Sequence, residues 1–162
     1  MVPLHGVVDA WARLYQNSTT AQVAVQFSHI GGLVVGGGLA VASDRATLRL
    51  PAGDVERRER HVMDLHEVHG AVILALGVVV VSGILFFLAD LDTYLVSPAF
   101  WIKMALVGLL LMNGGLLAWA ERGVRQDPAS DLHWQHLRRR AGTSLVLWLV
   151  IALAGTILVN AA

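Results

Sequence analysis

Seven histidines and no cysteine set the chemistry open to this 162-residue chain. Without thiols there are no disulfides, no thiolate zinc sites and no iron–sulfur ligation, and imidazole is the main soft ligand left. His66 and His69 are three residues apart, as are His133 and His136. On a helix that spacing turns both rings to one face. Such pairs suit a divalent transition metal, and Asp64, Glu67, Glu121 and Asp131 lie near enough in sequence to serve as carboxylate ligands or to orient the rings. The alternative is that these rings simply face lipid headgroups. The string His66, Glu67, Val68, His69 is not the zinc-protease motif, whose histidines are four apart. Another histidine, His29, stands inside an apolar stretch, where an ionisable group is costly and is read first as a functional residue.

The elements that must carry these residues follow from composition. Hydrophobic residues make up 56% of the chain and charged residues 15%, with mean hydropathy +0.61. A soluble domain normally carries about a quarter charged residues, so this chain cannot clothe a globular surface. Net charge is zero, with twelve cations against twelve acids, and no basic field argues for nucleic acid. A bilayer core about 30 Å thick needs about 20 apolar residues of helix. Four stretches qualify: about 21–42, 70–89, 98–120 and 141–159. Each must be helical, since no period-two alternation marks a membrane barrel. The expected fold is therefore all-α, an integral membrane four-helix bundle forming a single domain over 1–162.

Loops 43–69 and 121–140 hold Arg45, Arg49, Arg57, Arg58, Arg60, Arg122, Arg125, Arg138, Arg139 and Arg140, ten of the twelve cations. The positive-inside rule then places both loops in the cytoplasm and both termini outside, in a bacterial inner membrane. The first twenty residues carry neither a cationic leader nor a small-residue cleavage site and are not read as a removed signal. Leu4, Val7, Val8, Trp11 and Leu14 recur at helical spacing, as in an amphipathic N-terminal segment lying at the outer interface. Residues 55–67 read as a solvated helical extension of span two, and Asp131 as the cap of a helix running into span four.

Depth counting at about 1.5 Å per residue puts His29 about 10 Å and Lys103 about 8 Å below the outer surface, in one layer. A four-helix membrane bundle with an intramembrane histidine is a host for haem b. His29 is the leading ligand, with Met104 the best soft donor in its layer and Lys103 beside it. A second arrangement shares a haem between His29 of two protomers across a homodimer interface lined by Gly31, Gly32, Gly36, Gly37 and Gly38. An inner haem would use His69 or His66 with His136. For His29 the alternative is a hydrogen bond to Ser82 or a neighbouring carbonyl; for Lys103, snorkelling to Asp90 or Asp92. For the glycines it is close packing of helices.

The stretch SGILFFLADLDTYLVSPAFWIKMALVGLLLMNGG at 82–115, with SHIGG in span one and the cationic, histidine-bearing start of span two, resembles small uncharacterised bacterial four-helix inner-membrane proteins. More loosely it resembles the membrane domain of the copper-resistance D family, and its layout is similar to cytochrome b561-type haem bundles. The resemblance implies a heavy-metal or haem-linked membrane role, with His29 as a ligand. The sequence departs from those patterns in having only four spans and no methionine-rich outer motif. The expected function is a membrane-embedded b-type haem protein for electron transfer or redox sensing, working with a redox partner. Alternatives are divalent-metal binding or transport through His66, His69, His133 and His136, and a non-catalytic accessory subunit of a larger complex. No Ser–His–Asp set, phosphate loop or dinucleotide fingerprint is legible, so electron transfer or binding is favoured over enzyme activity.

Overall fold

The computed structural model describes residues 4–51 and 53–161, with side chains between 6 and 157. Six helices follow one another: α1 Leu4–Asn17, α2 Thr19–Arg49, α3 Val55–Ala89, α4 Leu91–Val96, α5 Pro98–Gln126 and α6 Asp131–Ala161. The architecture is all-α, as expected. Helices α2, α3, α5 and α6 are each long and apolar enough to cross a membrane. Their outward faces carry large exposed apolar side chains, among them Phe27, Val34, Leu74 and Leu149, which suit lipid contact.

Capping residues set the breaks. The Ser18 hydroxyl accepts from Ala21 N at 3.3 Å, so α2 restarts one residue after α1 ends. Asp54 accepts from Arg57 N at 3.1 Å to open α3, preceded by Gly53 at φ +155°. Ser97 caps Pro98 at the start of α5, and Asp90 closes α3 while opening α4. The start of α6 differs from expectation. Ser130 accepts from His133 N at 3.4 Å, while Asp131 turns its carboxylate to Arg58 at 2.7 Å. A serine immediately upstream fills the capping role and frees the aspartate for a tertiary contact.

Helices α2 and α3 form one antiparallel hairpin and α5 and α6 another; α2 joins them by packing on α6. Glycines set the α2–α3 distance. A Cβ on Gly32 would lie 2.8 Å from Val79 Cγ2 and 3.0 Å from Ala75 O, and one on Gly36 would lie 3.0 Å from Ala75 Cβ. Gly37 meets the Trp148 indole of α6 at 3.1 Å in the same sense. These three glycines are thus used in packing within the chain, whereas Gly31 and Gly38 face open space.

The arginine-bearing ends of all four long helices lie together and hold a compact core of Val62, Leu65, Ala120, Val124, Trp134 and Leu137. Residues 55–67 are therefore only partly the solvated extension expected. Arg58 is 1% exposed, bonded to Asp131 and to Pro128 O, with its guanidinium 5.3 Å from the centre of the Trp134 ring. Arg138 donates to Leu50 O at 2.8 Å across the same end. At the opposite end, α1 docks on α3: Trp11 Nε1 donates to Leu85 O at 2.9 Å, and Tyr15 lies edge-on to Phe86. Burial holds the Tyr15 phenol above its usual range. It does the same for Tyr94, with Asp90 nearby adding to the effect, so both remain neutral hydroxyls. The side chain of Leu4, the first residue of the amphipathic stripe, lies outside the described residues.

Candidate functional site

Helices α3 and α5 meet over a much shorter length than the two hairpin pairs. Where they part, a cavity of about 340 Å³ remains, walled by all four long helices. Ile73 and Leu111 sit on it and are themselves exposed, so it opens sideways to the lipid-facing surface. Most of the wall is apolar. Gly114 and Gly115 present bare backbone on the α5 side, with nothing within 4 Å of either Cβ position, and Trp148 contributes its indole from α6.

Polar groups gather on part of this wall. Asp44 of α2 is 3% exposed, accepts a hydrogen bond from the Ser144 hydroxyl of α6, and has its Oδ2 buried without a partner among the described residues. One turn further along α2, Thr47 donates to Ser43 O at 3.0 Å and meets His61 Nε2 at 2.8 Å. His69 of α3 borders the cavity, its Nδ1 held 3.1 Å from Glu121 Oε2 of α5; Glu121 is 5% exposed and His69 30%. With Nδ1 committed to a carboxylate, Nε2 is the ring nitrogen left for another partner.

Asp44, Thr47 and Ser144 were not singled out from the sequence, though a signal was present. Asp44 and Thr47 continue the stripe Gly36, Gly37, Ala40 on α2, and Ser144 lies between Ala141 and Trp148 on the inward face of α6. A carboxylate on an inward stripe close to a span end is the pattern to look for.

The structure places the expected ligands as follows. His29 Nδ1 is 2.9 Å from Ser82 Oγ, and its ring stands edge-on to Phe86 at 5.4 Å and against Gly83. Ser82 passes its own hydrogen to Val78 O. Lys103 approaches Gly155 of α6 with Nζ 3.8 Å from the Cβ position there. It forms no ion pair with Asp90 or Asp92 among the described residues. Met104 is exposed on the outer surface of α5. His66 and His136 are exposed, while His133 packs on Gly123 with its Nδ1 buried and unpartnered among the described residues. Among the described residues no three His, Asp or Glu side chains are grouped so as to hold a metal ion. The four inner histidines therefore do not converge as one ligand set. The pairing the structure does bring together is His69 with Glu121.

No family model, no curated protein and no solved structure matches the chain.

Proposed function

We propose that this chain is a membrane-embedded redox protein that binds a lipid-soluble quinone-type carrier in the cavity between α3 and α5, serving redox sensing or electron transfer. The observation that carries this reading is the combination of a laterally open, glycine-walled apolar slot with a buried, half-satisfied carboxylate on its wall. An apolar tail is soluble in the bilayer and in the mouth of the slot, and a flat head with hydrogen-bonding oxygens meets Asp44, Ser144 and His69. The arginine-bearing end faces the cytoplasm of a bacterial inner membrane and both termini face outward, which the concentration of cations at one end supports.

Titration of the purified chain in lipid nanodiscs with a short-chain alkyl benzoquinone, read by tryptophan fluorescence, tests this. Trp148 borders the slot, so quenching saturates with quinone. Gly115→Leu, whose Cβ meets nothing within 4 Å, narrows the slot and is expected to abolish saturation. Quenching that rises linearly with quinone in the lipid and is unchanged by Gly115→Leu overturns the proposal.

One contact favours a second reading, haem b in the same cavity with His69 as axial ligand. An iron-bound histidine characteristically donates a hydrogen bond from its other ring N–H to a carboxylate, which is what Glu121 offers. A Soret band in haem-supplemented preparations, lost in His69→Ala and altered in Glu121→Gln, supports it. No such band removes it.

A further inference from the structure

Resting on the quinone reading above, we infer that Asp44 makes the cavity selective for the reduced, hydroquinone form of its ligand. The argument concerns donors and acceptors. An ionised carboxylate only accepts hydrogen bonds, whereas a hydroquinone carries two O–H donors and a quinone two carbonyl acceptors. Asp44 lines the cavity, and its Oδ2 is buried and unpartnered among the described residues; the Ser144 hydroxyl is already directed to the same carboxylate. What the site lacks is one donor. A hydroquinone hydroxyl supplies it, and its second hydroxyl or the ring face is left to the glycine wall and the Trp148 indole. A quinone carbonyl in the same position sets acceptor against acceptor and leaves the carboxylate both desolvated and unsatisfied.

Other polar groups facing the cavity do not reverse this preference: the Ser43 hydroxyl on the same wall can donate or accept and so serves either redox form. Thr47 is engaged with Ser43 O and His61. His69, committed to Glu121 through Nδ1, can offer Nε2 to either redox form, as acceptor or donor according to its protonation. Selection therefore rests with Asp44. A hydrogen bond to a charged group contributes about 1.5–3 kcal/mol, which corresponds to a preference of about ten- to a hundredfold.

The experiment compares dissociation constants of one short-chain alkyl benzoquinone and its hydroquinone. Both are measured anaerobically on the full chain in nanodiscs above about pH 8. Wild type is expected to bind the hydroquinone at least about tenfold more tightly. Asp44→Asn keeps the shape and adds an N–H donor, so the preference falls below about threefold or reverses toward the quinone. Gly31→Ala, whose Cβ meets nothing within 4 Å, leaves the preference in place, which separates the carboxylate's effect from that of substitution in α2 as such. Equal affinity for both forms in the wild type, or a preference untouched by Asp44→Asn, overturns this inference and leaves the quinone site standing. Absence of binding by either form overturns both.

Discussion

Alanine at Gly31 and alanine at Gly32 should have opposite effects, although the two glycines are adjacent in one helix. Both replacements gain the intrinsic advantage of alanine over glycine in a helix, up to about 1 kcal/mol. At Gly31 nothing lies within 4 Å of the new Cβ, so that gain is retained. At Gly32 the methyl would sit 2.8 Å from Val79 Cγ2, 3.0 Å from Ala75 O and 3.4 Å from Val79 N. A valine methyl can rotate, but the carbonyl oxygen and amide nitrogen of α3 cannot, so the two helices must separate. Overpacking of this kind costs about 1–3 kcal/mol. The shared gain cancels, so Gly32→Ala should be less stable than Gly31→Ala by about 1–3 kcal/mol. Reversible unfolding in mixed micelles, titrated with SDS and followed by circular dichroism, measures the difference. Equal stability of the two variants, or a more stable Gly32→Ala, would refute the argument that glycine sets the α2–α3 spacing. That spacing positions Asp44 relative to His69, so Gly32→Ala should also weaken ligand binding while Gly31→Ala does not.

Asp131→Asn removes the anionic partner of the buried Arg58 and should destabilise the chain by about 1–3 kcal/mol, less than a fully buried pair would because Asp131 is 75% exposed. By contrast, Glu56→Gln breaks the solvent-exposed pair with Arg60 and should change stability by no more than about 0.5 kcal/mol in the same unfolding assay. Trp11→Phe deletes the bond to Leu85 O at a cost of about 1 kcal/mol, and hydrogen exchange should rise in α1 and leave α5 and α6 unaffected.

The four spans were legible because hydropathy and length alone decide whether a segment suits a bilayer core. Their ends were less so. The start of α3 at Val55 was legible as a helical extension of span two, but α5 runs on to Gln126, where a charged extension does not register as part of a span. Arg58 illustrates why. Read by charge it belongs in water, yet Val55, Arg58, Val62 and Leu65 share one helical face, and Trp134 and Asp131 of α6 receive the guanidinium. The short α4 was missed, although Asp90 and the Ser97–Pro98 pair that bound it are recognisable caps. The site was harder. Glu121 was read as a carboxylate partner for the inner histidines, but nothing in one sequence says that it meets His69 and not His133. Asp44 and Ser144 lie 100 positions apart, and their meeting depends on α2 packing against α6, which periodicity does not encode.

The central claim is that a ring-bearing amphiphile from the bilayer occupies the slot between α3 and α5. It is tested most directly by a photoreactive alkyl benzoquinone incorporated into membranes containing the full chain, with the labelled positions mapped by mass spectrometry. Labels concentrated near Asp44, Gly114, Gly115 and Trp148, and competed away by unlabelled carrier, are the predicted result. Labels spread over the lipid-facing positions Val34, Leu74 and Leu149, and insensitive to competitor, would contradict it.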